Sequence, residues 1–288
     1  MLIFMLQTLN FIIENAIEED KSLNDITSDL TISNDDISHF VINAREYLIF
    51  CGAEVVEGVF KKLLQSEKFK NCKINYSLLK KDGDRVFANE DILKGSGNSK
   101  LILAAERIIL NLIQHLSSIS TQTNEFVCKL NNPKIKILDT RKTLPLYREL
   151  QKYAVKCGGG ANHRFNLADL ILIKDNHISA NGDIDSVFKK IDKYHTPKIE
   201  IECDNFFQVK QSLIHNPDII MLDNMSFDEL NKSIFVIKDY SSNILIEVSG
   251  GINLQTIDQY RNLPIDFISV GSITNNIKNV DIGLDFFK

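Results

Sequence analysis

From Lys134 onward the chain alternates short apolar runs with longer stretches of helical periodicity. The runs are KIKILDT, DLILIKD, KIEIECD, DIIMLDN, NILIEVSG and DFISVGS. Between most of them lie stretches of helical character such as DIDSVFKKIDKYH, NFFQVKQSLIHN and SFDELNKSIFVIKDY. Strand–helix alternation at this spacing predicts parallel strands joined by crossover helices. The earlier part has a different texture. MLIFMLQTLNFIIENAIEED carries Leu6, Leu9, Ile13 and Ile17 at helical spacing, which predicts an amphipathic helix. HFVINAREYLIFCGAEVVEGVFKKLL joins a strand-like half to a helix-like half. KINYSLLKKDGDRVFANEDILKGSGNS reads as strands broken by Asp-Gly and Gly-Ser turns. KLILAAERIILNLIQHLSSISTQTNEFVCKLN lacks Gly and Pro and repeats its apolar positions at three and four, so it reads as one long helix or two in tandem. The expected architecture is α/β, with a mixed α+β domain ahead of a parallel one.

Each apolar run of the later part closes on polar residues or glycines. The closures are Asp139-Thr140-Arg141-Lys142, Lys174-Asp175-Asn176-His177, Glu202-Cys203-Asp204, Asp223-Asn224, Ser249-Gly250-Gly251 and Gly271-Ser272. In parallel α/β folds the C-terminal strand ends share one face, where ligands bind. A barrel would converge them on one mouth, and a doubly wound sheet would spread them along a crevice. In KIEIECD the alternation puts Glu200 and Glu202 on one strand face, opposite Ile199 and Ile201. The segment KCGGGANHRF places three glycines just before His163 and Arg164. Glycines there allow positive φ and close packing, and the return aims the two cations at the mouth.

Composition narrows the chemistry. The chain has 288 residues, is 44% hydrophobic and 25% charged, and carries a formal net charge of -5. Such a chain has no global attraction to nucleic acid, so an anion site must be built locally. Arg141, Lys142, His163, Arg164 and Lys174 supply one, with Arg148 and Lys152 as further candidates. Arg forks match carboxylate or phosphate oxygens and Lys adds a point charge. Glu202 and Asp223 oppose them, and two carboxylates at adjacent strand mouths suit Mg²⁺ held jointly by substrate phosphates. The five cysteines form no C-x-x-C pair and their odd number precludes a complete disulfide framework, which fits reduced thiols in the cytoplasm. The N-terminal helix has no basic residues ahead of it and is interrupted by Asn10, Glu14, Glu18 and Glu19, so it reads as part of a soluble protein rather than a signal peptide. No stretch reaches the ~20 apolar residues needed to span a membrane.

DTRKTLPLYRELQKYAVKCGGGANHRFNLADLILIKDNHI closely resembles the signature of the quinolinate phosphoribosyltransferase family. The resemblance takes in AAERIILNLIQHLSSIST before it and IEIECD, IMLDNM, EVSGGI and ISVGSIT after it, with an early echo in IEEDKSLNDITSDLTI. It implies an N-terminal open α+β sandwich domain over residues 1–114 and a C-terminal incomplete α/β barrel over residues 115–272. Residues 273–288 would be a tail returning to the first domain. It implies transfer of phosphoribosyl from phosphoribosyl pyrophosphate to quinolinate, with release of pyrophosphate and carbon dioxide, in NAD biosynthesis. It also implies a Mg²⁺ requirement and a homodimer with shared active sites, or a higher oligomer built from it. By resemblance, Arg107 reaches a quinolinate carboxylate across the interface, and Arg141, His163 and Arg164 form the rest of that cradle. Lys142 and Lys174 attend the ribose-phosphate and pyrophosphate, Glu202 and Asp223 the ribose and metal. Ser249, Gly250, Gly251, Gly271 and Ser272 make the 5′-phosphate loops. Three departures stand out. Leu146-Tyr147 replaces a common Gly-Leu, Ser272 replaces a small alanine, and KSLN replaces a more glycine-rich turn.

Rival readings stay within reach of the same residues. They are the molybdenum-operon paralogue of the family, nicotinate phosphoribosyltransferase, a barrel aldolase using Lys174 as Schiff base, and a phosphate-binding regulatory domain. Arg107, Arg141 and Arg164 together favour a substrate with two carboxylates.

Overall fold

The computed structural model describes residues 2–191 and 197–287, with side chains from residue 7 on. The end of DIDSVFKKIDKYH and the Leu6 side chain lie outside the described residues. In chain order the first elements are α1 (Leu2–Glu19), α2 (Ile26–Thr31), β1 (Ile37–Ala44), β2 (Leu48–Ile49), α3 (Ala53–Leu64), β3 (Ile74–Leu78), β4 (Arg85–Val86), β5 (Asp91–Asn98) and α4 (Ser99–Leu130). Then come β6 (Lys136–Leu138), α5 (Arg148–Cys157), β7 (Ile171–Ile173), α6 (Asp175–Asn181), α7 (Ile184–Lys189), β8 (Ile199–Cys203), α8 (Phe206–Leu213), β9 (Ile219–Asp223) and α9 (Phe227–Tyr240). The last are β10 (Leu245–Ser249), β11 (Phe267–Ser269), α10 (Ser272–Asn275) and β12 (Ile282–Phe287). No described helix is long and apolar enough to cross a membrane.

The elements gather into two compact units. Met1–Asn124, Thr143–Gly159 and Asn276–Lys288 form the first. It holds a four-stranded antiparallel sheet in the order β12-β1-β5-β3 and a β2-β4 ribbon. The helical stripes bury as their spacing requires: Leu9 and Ile13 on α1, Val55, Val59 and Leu63 on α3, and Ala104, Ile108 and Leu112 on α4. The long apolar stretch is a single helix of 32 residues. The Asp-Gly turn forms, with Gly83 at φ +92. The Gly-Ser turn does not, because Gly95, Ser96 and Gly97 lie inside β5, paired on both sides. There glycine serves by having no side chain. A Cβ on Gly95 would stand 2.6 Å from the Asn75 carbonyl oxygen and 2.7 Å from the Phe40 ring, and such overpacking costs about 1–3 kcal/mol.

Glu125–Lys142 and Gly160–Asn275 form the second unit. Its six strands pair in the order β6-β11-β10-β9-β8-β7, all parallel. Strands β7 to β11 follow one another in sequence order and β6 closes on β11, so among the described residues the ring is broken between β6 and β7. This is the incomplete barrel that the family resemblance implies, and its parallel strands are those the strand–helix rhythm predicts. At the open edge of β6, Ala161 makes a parallel bridge to Leu138, exchanging hydrogen bonds with Ile137 and Asp139. Strand starts are pinned by carboxylates: Asp218 accepts the Ile199 N–H at 2.7 Å and Asp266 the Ile246 N–H at 2.8 Å.

Candidate active site

The six strand ends of the second unit converge on a cleft of about 440 Å³. Thr140, Arg141 and Lys142 enter it after β6, and Lys174 after β7. Glu202, Asp223 and Ser249 come from the ends of β8, β9 and β10. His163, Arg164 and Ser269 line it as well, over an apolar floor of Leu172 and Met221.

The glycine run explains how His163 and Arg164 arrive. Helix α5 ends at Cys157, and a Cβ on Gly158 would collide with the Ser120 carbonyl oxygen. Gly159 then takes φ +90, a conformation natural to glycine. After the Ala161 bridge, buried Asp139 fixes the turn by accepting the Asn162 side-chain amide at 2.5 Å and the His163 N–H at 3.0 Å.

Beneath the mouth lies a buried acidic box. His163 Nδ1 accepts the Arg164 backbone N–H at 2.7 Å, which leaves the ring proton on Nε2. Nε2 faces Glu200, 3.1 Å from Oε2, and Glu247, 3.6 Å from its Oε2. Both glutamates are essentially inaccessible, and the Oε2 atom of each has no hydrogen-bond partner. Ser269 donates to Glu247 Oε1 at 2.5 Å. Burial first, and the Glu200 charge second, push the Glu247 carboxyl up to about 8. Glu247 is therefore a neutral acid at neutral pH.

At the mouth, Lys174 forms an ion pair with Glu202. Desolvation nonetheless holds the Glu202 carboxyl above its ordinary range, with the Lys174 hydrogen bond opposing. Carboxylate oxygens of Glu202, Asp204 and Asp223 lie within 4.8 Å of one another, which fits an oxygen-ligated divalent cation. Arg164 donates to the Leu170 carbonyl at 3.1 Å. Burial, then the neighbouring Arg141 charge, lowers its affinity for the proton. Lys174 is salt-bridged, whereas a Schiff-base lysine needs surroundings that disfavour its charge; this counts against the aldolase reading.

The remaining predicted positions separate. Gly250, Gly251, Gly271 and Ser272 flank the cleft at the ends of β10 and β11. Gly250 has φ +94 and packs against Asn224 so closely that a Cβ would overlap its side chain. A Cβ on Gly271 would sit 3.2 Å from Lys142 Cδ. Arg107 lies in the first unit, exposed on α4 beside Asn111, and lines a different hollow with Phe11, Leu146 and Tyr147. Arg148 and Lys152 are on α5 of the first unit. Arg148 donates to Thr143 and Lys152 is completely buried, so neither lines the cleft. Sequence reasoning missed Ser269 and Glu247 as members of the site, and it placed Thr140 and Asp204 at the strand ends without giving either a role. Glu247 was legible, since in LIEVS it shares a strand face with Ser249.

Fold and cleft define the class: a barrel of parallel strands opening onto strand-end cations that face carboxylates, a site for multiply anionic substrates. The chain belongs to the quinolinate phosphoribosyl transferase family. It matches that family's N-terminal domain over residues 25–117 and its C-terminal domain over residues 119–285. It is 38% identical over 284 residues to the probable carboxylating nicotinate-nucleotide pyrophosphorylase of Methanocaldococcus jannaschii, covering 96% of each chain. It is likewise 38% identical over 269 residues to the corresponding protein of Bacillus subtilis, covering 93% of this chain and 89% of that one. The crystal structure of nicotinate-nucleotide pyrophosphorylase from Ehrlichia chaffeensis superposes with a TM-score of 0.88 at 40% identity, over 96% of this chain and 97% of that one.

Proposed function

We propose that the chain transfers phosphoribosyl from phosphoribosyl pyrophosphate to the ring nitrogen of quinolinate, with decarboxylation to nicotinate mononucleotide. The observation that carries this reading is the cleft itself, where Arg141, Lys142, His163, Arg164 and Lys174 face Glu202 and Asp223. Arg141 and Arg164 grip the quinolinate carboxylates through their planar forks. His163 holds the Arg164 backbone through Nδ1 while the buried box fixes its ring. Lys142 and Lys174 hold the leaving pyrophosphate, and Glu202 stands where positive charge develops on the ribose. Backbone N–H groups around Ser249–Gly251 and Gly271–Ser272 take the 5′-phosphate. Glu202 and Asp223, with Asp204 beside them, would hold Mg²⁺, which when bound offsets pyrophosphate charge. Once the ring nitrogen is quaternary, its positive charge stabilises the carbanion left at C2 as carbon dioxide leaves, and C2 then takes up a proton. The chain acts in the cytoplasm as a homodimer, with Arg107 of one protomer completing the site of its partner.

The test is a coupled assay with phosphoribosyl pyrophosphate and Mg²⁺, run with quinolinate and with nicotinate. Quinolinate is consumed with one carbon dioxide per turnover, and chelator abolishes the reaction. Equal turnover of nicotinate without carbon dioxide, or full activity in excess chelator, refutes the reading.

A further inference from the structure

Two cysteines lie apart from the cleft chemistry. Cys51, between β2 and α3, is fully buried, and Cys157, the last residue of α5, is half-buried. Their sulfurs and a carboxylate oxygen of Asp82 all lie within 4.8 Å of one another, so the two thiols face each other at close range. The surroundings hold them there. Cys51 N–H donates to Ser117 Oγ at 3.0 Å. Asp82 Oδ1 accepts the Gly52 and Ala53 N–H groups at 2.8 and 2.9 Å, and its Oδ2 accepts the Tyr153 hydroxyl at 2.7 Å. With the Asp82 oxygens engaged by these donors, the two sulfurs are the reactive atoms of the cluster. A tetrahedral metal would want four ligands, and the cluster offers three.

We propose that Cys51 and Cys157 form a redox-active dithiol, a modification site that closes to an intrachain disulfide when a hydroperoxide reaches Cys157. The Cys157 sulfur attacks the peroxide oxygen, the O–O bond breaks, and the sulfur becomes a sulfenic acid as the departing oxygen leaves as water or alcohol. The Cys51 sulfur then attacks the Cys157 sulfur. The S–S bond forms, the S–O bond breaks, and the Cys51 proton leaves with that oxygen as water. The two thiols lose two electrons and two protons, which the peroxide takes up. The division of labour follows from the surroundings. The neighbouring Cys51 thiol holds the Cys157 thiol below its ordinary range, and burial pushes Cys51 well above it. Cys157 is thus the attacking thiol and Cys51 the resolving one. The bond would tether the residue from which the chain enters Gly158-Gly159, at the start of the segment that carries His163 and Arg164.

The experiment treats the full-length protein with hydrogen peroxide and counts thiols after denaturation, with peptide mapping by mass spectrometry. The count is expected to fall from five to three, with one Cys51–Cys157 cross-linked peptide lighter by about 2 Da and a return to five thiols on dithiothreitol. In Cys51→Ser the reaction should stop at a Cys157 sulfenic acid that dimedone labels, while the wild type labels several-fold less. Five surviving thiols overturn the proposal. So does a disulfide through Cys72, Cys128 or Cys203, or equal dimedone labelling of wild type and Cys51→Ser. Protection of both thiols by one Zn²⁺ per chain, without hydrogen loss on peroxide, makes the cluster a metal site and equally overturns it.

Discussion

Replacing Glu247 by Gln should make the protein more stable at alkaline pH and leave it unchanged at acid pH. Glu247 is 1% exposed, faces Glu200, and its carboxyl is pushed from an ordinary 4.5 to about 8. Below pH 4.5 the folded and unfolded chains both hold this proton and the group contributes no pH dependence. Between 4.5 and about 8 the unfolded chain has released it and the fold retains it. The folded state then binds more protons, so stability falls as pH rises through this window, and the loss is complete above the folded value. At ~1.4 kcal/mol per pH unit the full span amounts to roughly 5 kcal/mol. Gln is the neutral isostere of the protonated acid. It keeps an acceptor for the Ser269 hydroxyl and has no proton to lose.

The assay is urea denaturation of both proteins at pH 5.0, 7.0 and 8.5, read as the difference between variant and wild type at each pH. That difference removes every titrating group that does not interact with Glu247 and reports the interacting box of Glu247, Glu200 and His163. It should be below about 1 kcal/mol at the lowest pH and grow to several kcal/mol in favour of Glu247→Gln at the highest. Parallel curves, with a difference that does not change with pH, would show that Glu247 ionises normally and that the acidic box is not the neutral-acid arrangement its burial dictates.

Two further outcomes test other parts of the molecule. Arg107→Ala and Lys174→Ala should each fold yet lose at least about 100-fold in activity, the order expected for a charge-assisted contact. Mixing the two under subunit exchange should restore up to about a quarter of wild-type activity, because a mixed dimer has one intact site. A dead mixture after proven exchange refutes the cross-subunit role of Arg107. Leu146, at φ +66 and 69% exposed, pays a left-handed cost of about 1–2 kcal/mol that exceeds the entropy glycine would add, about 0.5–1 kcal/mol. Leu146→Gly should therefore raise stability by about 0.5 kcal/mol in the same denaturation assay, and destabilisation would mean that Leu146 packing matters more than its backbone.

What could be read from the chain depended on whether a residue's neighbours in sequence are also its neighbours in space. The six strand ends were legible because an apolar run that closes on charge is local information, and parallel topology alone carries those ends to one mouth. Glu200 and Glu202 were legible by alternation, and the same parity held for Glu247, where a single charge inside LIEVS reads as an irregularity until β8, two strands away, supplies Glu200. Gly95 and Gly97 were misread because glycine at positive φ and glycine with no room for a Cβ look alike in sequence; the Asn75 carbonyl and the Phe40 ring that exclude a side chain are distant in the chain. Thr143–Gly159 clusters with the first unit although it sits between strand β6 and the bridge that flanks it, and nothing local announces that. Arg107 showed its helical face but not what the face meets.

The departures from glycine carry a related lesson. Lys21, in the KSLN turn, has φ +50 and Leu146 has φ +66. Both turns hold a left-handed backbone without glycine, the residue best suited to it. A turn that keeps this conformation with another residue is held by its surroundings rather than by local preference. At Leu146 the holding contacts are visible: Tyr147 N–H donates to the Leu144 carbonyl, and Leu144 N–H donates to the Gln151 side chain at 2.9 Å. The strain is then a cost in stability rather than in geometry, and it falls on a surface that also carries Arg107. The cleft balances charge in the same manner. Arg141, Lys142, Arg164 and Lys174 outnumber Glu202 and Asp223 at its mouth, and the proximity of Arg141 already weakens proton binding at Arg164. The protein's own carboxylates at the mouth leave part of that positive charge unrelieved. An anion with several negative groups relieves it on binding, so part of the binding free energy comes from repulsion that the fold has already accepted.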